Sequence, residues 1–483
     1  MIAVSQSSDL VPNASSTAPD YFCTWNVQGY MTNYGSPAAM RAGLCEASLF
    51  SKGASANWLS FYPKVRGDLL FVMDDSWDIP VNGDSSFYGS LQLDNSRFPS
   101  YKGEPALLLG QLVKDVKARG WRGLGGWACA QESPKLFRGN VEGYWRERFE
   151  ELNQAGLEYL KVDWGNHSGD VKWRHQLEVL AHQVAPNLVV EAAMSRENLK
   201  FARTYRTYDV ENNIAAPETI RRVAELLTSE DAKGSPTVIN AEDEVYIAAA
   251  LGCAYGVMRH PYAGNLPNGG LDIAFPSNCR DLKHRIDEVT RAVRWHRISP
   301  PYAAGLGTTT LSKENLTDVW VFAKSETWTD RMPNEIGTTQ APAIVARGLP
   351  LPKVVSAANG LLPFVVAGKD PLGQVAITTV GRAMGRVYET PLAHITLQGG
   401  VVGKAIGVFG NYASLTVEFE GNHKVTRVIA QDLAADRSQD ITGEVKIDGS
   451  RIILSGELIK RVGLSARSRG DKSDPGLVLV ASE

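Results

Sequence analysis

The rhythm of apolar and polar positions changes once along the chain, near residue 300. Before that point, short β-type apolar runs alternate with stretches whose apolar residues fall at helical spacing. The runs predict strands at 21–25, 68–73, 123–128, 159–163, 188–191, 204–208, 236–239 and 256–259. Helices are predicted at 106–119, closed by Gly120, and at 144–155, closed by Gly156, with two more at 216–227 and 242–254. Eight strands alternating with helices over roughly 280 residues fit a (β/α)8 TIM barrel, with a doubly wound open sheet as the alternative. No GxGxxG follows the first run, which argues against a dinucleotide site.

After Pro300-Pro301 the helical spacing disappears. Runs rich in Val, Ile and Thr predict strands at 318–323, 353–356, 374–379, 406–409, 414–420, 425–430, 444–447, 451–454 and 477–480. Asp448-Gly449 between two of them predicts a hairpin turn. The expected organisation is a polar N-terminal extension over 1–19, a catalytic barrel over 20–300 and a C-terminal all-β sandwich over 301–483.

Charge and composition narrow the function classes. The net charge of −3 gives no electrostatic footprint for nucleic acid. No apolar run is long enough to span a bilayer, so a membrane partner is not expected. Residues 1–19 contain no signal-peptide core, so the chain is either cytoplasmic or exported with its signal already removed. The five cysteines are scattered without zinc or disulfide spacing and read as buried thiols. The oligomeric state stays open, a homo-oligomer included.

The most informative run is Tyr159-Leu160-Lys161-Val162-Asp163-Trp164-Gly165. Side chains two apart on a strand share a face, which puts Lys161 and Asp163 together at the strand's C-terminal end. In a barrel that end carries catalytic groups. The lysine cation would keep Asp163 ionised, as a nucleophile or base requires. An ordinary strand-end ion pair is the plain alternative.

The other strand ends add Trp25 and Asn26, then Asp74, Asp75, Ser76, Trp77 and Asp78, then Trp127, and beyond Asp163 the residues Trp164 and Asn166. Glu191 ends the fifth strand, and Arg206 and Asp209 mark the sixth. Carboxylates accept bonds from sugar hydroxyls and tryptophan covers an apolar sugar face, so the partner expected is a carbohydrate. Each tryptophan could equally be core. Two carboxylates on different strands also meet the minimum for glycoside hydrolysis, one ionised and one protonated. Asp163 suits the ionised role. For Asp209, Arg206 works to lower the pKa while Glu211 and burial work to raise it, and the sequence leaves the balance open. Glu191 is the next candidate acid.

These motifs resemble those of the retaining α-galactosidase clan, glycoside hydrolases built on a (β/α)8 barrel followed by a β-sandwich. Asp74-Asp75-Ser76-Trp77 is similar to the clan's DDGW element, with serine for glycine. Residues 91–99, LQLDNSRFP, resemble its G-x-L-x-x-D-x-x-R-F-P stretch. Leu160-Lys161-Val162-Asp163 resembles its nucleophile strand, and Trp25-Asn26 matches the Trp-Asn of its first strand. The four motifs occur in the clan's order over about residues 20–265. The resemblance implies Asp163 as nucleophile and Asp209 as acid/base. It also implies Asp74, Asp75 and Lys161 on sugar hydroxyls, and Trp25 as an apolar wall. The clan places arginine four residues before the acid/base, whereas Arg206 stands three before Asp209. Relatives that accept a free 2-hydroxyl carry an acid and a bulky residue after strand five. Glu191 and Met194 are the counterparts here.

The expected function is an exo-acting retaining α-glycosidase, α-galactosidase-like, needing no metal and no organic cofactor. The alternatives are a β-L-arabinopyranosidase, a glucan-acting enzyme, a transglycosylase, or a non-catalytic carbohydrate-binding barrel. His260 is expected to be structural, Asp243 and Glu244 to open a helix, and the glycine-rich 265–270 stretch to form a rim loop.

Overall fold

The computed structural model describes residues 9–33, 35–52, 57–207, 215–262, 282–322, 335–358 and 360–483. Tyr208, Asp209, Glu211, the glycine-rich 265–270 stretch and Cys279 lie outside the described residues.

Eight parallel strands make one sheet. They are β1 (Tyr21–Cys23), β2 (Leu70–Met73), β3 (Gly123–Ala128), β4 (Tyr159–Val162), β5 (Val189–Ala192), β6 (Thr204–Arg206), β7 (Val238–Asn240) and β8 (Gly256–Val257). Their order is β7-β6-β5-β4-β3-β2-β1-β8. The sheet closes where Asn240 pairs in parallel with Ala254, just ahead of β8, and Ala254 N donates to Ile239 O at 2.8 Å. Closure excludes the open doubly wound sheet and gives a (β/α)8 barrel. Every strand is nearly or wholly buried.

The helices wrap the strands for local reasons legible in their ends. They are α1 (Trp25–Met31), α2 (Pro37–Ala42), α3 (Glu46–Phe50), α4 (Pro105–Ala118), α5 (Val141–Ala155), α6 (Val171–Val184), α7 (Ala215–Leu227), α8 (Val245–Leu251) and α9 (Ile286–Trp295). In α4, Leu108, Leu109, Leu112, Val113 and Val116 form the buried stripe, and Pro105 opens the helix where its missing N–H costs nothing. The Asn140 side chain caps α5 by accepting from Gly143 N at 3.0 Å, and Gly156 ends it in the left-handed region. Two expectations are corrected. Trp25 opens α1 rather than closing β1, because the chain coils at once, with Gln28 N donating to Thr24 O at 2.9 Å. Asp243 does not sit in a helical turn; it is fully buried and receives Arg259 Nε at 2.7 Å.

Past α9 the described chain forms three β-sheets, with one late helix, α10 (Gly456–Gly463). An eight-stranded and a five-stranded sheet pack face to face. Val365, Ala367, Ile377 and Val408 from the first meet Ile395, Leu415, Val417 and Leu454 from the second in one core. This is a sandwich. The opposite face of the larger sheet is apolar as well. Phe364, Val366, Ala376, Phe409 and Val478 join the core of the barrel, where α8 and α9 lie. Alternating residues thus serve two different cores.

Arg97, from the RFP stretch, ties together the two loops that carry barrel-top residues. It is 2% exposed. It donates to Ile79 O at 2.6 Å and Pro80 O at 3.4 Å beyond β2. It also donates to Arg41 O at 2.5 Å and Leu44 O at 3.1 Å beyond α1. Replacing it leaves buried carbonyls without donors. Arg97→Met is expected to cost about 3 kcal/mol in chemical denaturation, as loss of charge-assisted bonds to buried acceptors does. A cost under about 0.5 kcal/mol, the level of an ordinary surface substitution, would show that the clamp is not what holds these loops.

Candidate active site

A pocket of about 440 Å³ opens at the C-terminal ends of the barrel strands. Its lining comprises Trp25, Asp74, Asp75, Trp127, Lys161, Asp163, Trp164, Ala193, Met194, Tyr205, Arg206, Thr207 and Arg222. A comparable cleft of about 540 Å³ lies on the outer wall of the barrel, between α5 and α6, but gathers no facing carboxylates and cations. The strand-end pocket alone of these two brings Asp74, Asp75 and Asp163 together with Lys161 and Arg206, at the barrel end that carries catalytic groups.

Asp163 follows directly on β4. Its main chain is pinned from both sides: Asp163 N donates to Ala128 O at 3.0 Å, and Arg174 Nη2 on α6 donates to Asp163 O at 2.9 Å. Gly165 lets the chain leave. Its φ of +146° and the Ala130 backbone 2.7 Å from where a Cβ would stand exclude a side chain. The Asp163 carboxylate then takes two donors. Arg206 Nη2 reaches Oδ1 at 2.7 Å and Trp127 Nε1 reaches Oδ2 at 3.1 Å. Burial works to push this carboxyl up, but Arg206 first, then Lys161, then the Trp127 bond bring it down to about 2. Its side chain remains 17% exposed, so an ionised oxygen stays accessible from the pocket.

The cation nearest Asp163 is therefore Arg206, not Lys161. Lys161 does share the strand face, but its Nζ lies 3.0 Å from Asp74 Oδ2. Asp74 also receives Cys23 Sγ at 2.9 Å and, through Oδ1, Asp75 N at 2.8 Å. Asp75 is bonded by Arg41 Nε at 2.9 Å on Oδ2 and by the Ser76 hydroxyl on Oδ1. Burial raises its carboxyl to about 6, against the lowering effect of Arg41. Asp74, Asp75 and Lys161 form one floor next to Asp163. Ser76 keeps the turn at φ +84°, a left-handed conformation that costs a side-chain-bearing residue about 1 kcal/mol.

Three other expected residues do not touch the pocket. Trp77 is fully buried, with Nε1 on Trp127 O at 2.8 Å, and supports the wall from behind. Asn166 is exposed and not among the lining residues. Glu191 is fully buried beneath Arg206: its carboxylate receives Arg206 Nε at 2.9 Å, Tyr159 Oη at 2.6 Å and Tyr21 Oη at 3.0 Å. The expected direct bond from Glu191 to a 2-hydroxyl is thus blocked by its own partners. His260, expected outside the site, packs against Tyr30 at 4.9 Å between ring centres, away from the lining. Asp209 and Glu211 fall outside the described residues, and Thr207 is the last lining residue before them.

Sequence reasoning missed Arg41, Arg174, Tyr205, Thr207 and Arg222. Arg41 and Arg174 sit on helices, where an arginine carries no local signal of reaching a strand end. No group of three or more His, Cys, Asp or Glu among the described residues is arranged to hold a metal ion, and no described helix is long and apolar enough to cross a membrane.

No protein-family model matches the chain, and no curated protein matches it in sequence. Among solved structures it is similar to α-galactosidase I from Mortierella vinacea, at 12% identity over 97% of this chain and 98% of that one, with a TM-score of 0.43. It is also similar to a GH27 β-L-arabinopyranosidase from Geobacillus stearothermophilus in complex with arabinose, at 11% identity over 96% and 97% of the two chains, with a TM-score of 0.43. An α-galactosidase from Saccharomyces cerevisiae gives 12% identity over 99% and 97%, with a TM-score of 0.39. At such identities and scores the likeness assigns no residue a role, and the reading of the site rests on its own side chains.

Proposed function

We propose that the chain is a retaining exo-α-glycosidase, α-galactosidase-like, with the site carried by the barrel over 20–300 and the β-structure of 301–483 supporting it. The observation that carries the reading is Asp163: a carboxylate held near pKa 2, still open to a pocket whose floor is Asp74, Asp75 and Lys161. A nucleophile must be ionised, and Arg206, Lys161 and the Trp127 bond together supply that condition. Asp74 and Asp75 accept hydroxyls remote from the reacting carbon, Lys161 donates to one, and Trp25 and Trp164 bound the pocket with flat apolar surface. Asp163 attacks the anomeric carbon while an acid protonates the leaving oxygen; water then releases the sugar. The proposed acid is Asp209, on the resemblance of the motifs. No step calls for a metal or an organic cofactor.

Hydrolysis of a panel of aryl α-glycosides tests this. Asp163→Ala is expected to lower kcat by a factor on the order of 10³ or more, with azide restoring turnover as the glycosyl azide of opposite configuration. Proton NMR of the wild-type reaction should show the α-hemiacetal first. A β-hemiacetal formed first would mean inversion, and an unchanged rate in Asp163→Ala would remove the nucleophile.

The pH profile separates the carboxylates. Asp163, near 2, stays ionised throughout the working range and sets no limb there. Asp75, near 6, loses its charge as pH falls through that value, so kcat/KM should drop on the acid side at about pH 6. Asp75→Asn should lower kcat/KM by a factor on the order of 10² and abolish that limb. A limb that persists in Asp75→Asn would assign it elsewhere.

Met194 lines the wall at φ +72°. With a bulky residue there, a plain α-hexoside or pentoside is expected to react and its 2-acetamido analogue to react little. Equal kcat/KM for the two aryl glycosides would refute this specificity and leave Asp163 untouched.

A further inference from the structure

We propose that Arg41, a residue of no recognised motif, is a positioning residue for the sugar-binding floor, fixing Asp75 in the orientation in which it accepts hydroxyls. This rests on the reading of Asp75 as a sugar contact. Arg41 projects from α2 across the top of the barrel. Its Nε bonds Asp75 Oδ2 at 2.9 Å, and its guanidinium carbon stands 5.6 Å from the ring centres of both Tyr88 and Trp164. Those rings meet edge to face, 5.1 Å apart. The guanidinium is thus placed by one carboxylate and two aromatic faces, while Arg97 holds its backbone carbonyl. Trp164 directly follows Asp163, so the same stack joins the floor to the strand of the proposed nucleophile.

A surface ion pair would do little of this, because solvent competes for both charges. Here the Asp75 side chain is only 4% exposed and that of Arg41 25%. The Ser76 hydroxyl fixes the second oxygen. A carboxylate has about four acceptor positions, and with one on each oxygen taken by this chain, the remaining two are left in a fixed direction for a ligand. The charged and titratable groups around Asp75 are Asp74 and Asp78 on its own loop, with Tyr88, Arg97 and Cys129 from its neighbours. Burial is the largest influence raising the Asp75 carboxyl, and Arg41 the largest opposing it.

The test uses Arg41→Met, Arg41→Lys, Asp75→Asn and the Arg41→Met/Asp75→Asn double variant in the full chain, with the aryl glycoside that wild type turns over best. Arg41→Met should move the acid limb of kcat/KM upward by about one pH unit, since Asp75 loses the cation that favours its ionised form. Arg41→Lys keeps the charge and should keep the limb, while KM rises several-fold because an ammonium does not hold the flat stack. Folding is checked by thermal unfolding. A raised folded-state pKa contributes stability at low pH that is lost as pH rises through it, so the melting cost of Arg41→Met should be larger at pH 8 than at pH 5. The same substitution should cost little in the Asp75→Asn background. An unmoved limb in Arg41→Met, or an equal melting cost in both backgrounds, overturns the inference alone. Absence of turnover by wild type across the panel overturns the proposed function, and this inference with it.

Discussion

Arg206 is the constraint on which the barrel top depends. One guanidinium meets Asp163 at 2.7 Å, Glu191 at 2.9 Å and Glu242 at 3.4 Å, in a region where all four side chains are largely or wholly buried. Isolated charges at that depth would be prohibitive; a planar cation with a fork of donors satisfies several carboxylates at once. The cluster also links strands. Tyr21 of β1 and Tyr159 of β4 bond Glu191 of β5, which holds Arg206 of β6, which holds Asp163 at the end of β4. The barrel interior is therefore wired by polar contacts just below the pocket, and the charge state of the proposed nucleophile is a property of that wiring rather than of Asp163 alone.

The lysine next door has a different task. Lys161 and Asp163 share a face, as period-two geometry requires, yet each is claimed by a partner from another strand or loop. Lys161 with Asp74 and Arg206 with Asp163 make two adjacent ion pairs of opposite sense. A polyhydroxylated ligand meeting them finds donors and acceptors already oriented, so little reorganisation is needed on binding.

How much of this was legible follows from the range of each signal. All eight barrel strands were found within a few residues, because a buried parallel strand writes itself as a short apolar run. Asp74, Asp75, Lys161 and Asp163 were legible as strand-end residues, and they do line one pocket. The short helices α1–α3 were not, because five to seven residues are too few to show a period. Pairings over long separations were invisible. The bond from Arg206 to Asp163, 43 positions away, is one the local sequence does not show. Glu191 was read as a ligand contact, since burial behind an arginine leaves no mark on the local sequence. Arg41 went unnoticed because nothing in PAAMRA distinguishes a solvated helix end from an arm laid across a pocket.

The large sheet of the C-terminal half carries one more consequence. Val375–Val380 is buried at all six positions, one parity facing the smaller sheet and the other facing the barrel. In a half-exposed strand, alternate positions drift freely under mutation. Here neither parity is free, so this strand should accumulate substitutions more slowly than the solvent-facing helices that surround the site. Lineages of this protein would then diverge at the rim of the pocket, where recognition is set, while the seam joining the two halves of the chain stays nearly fixed.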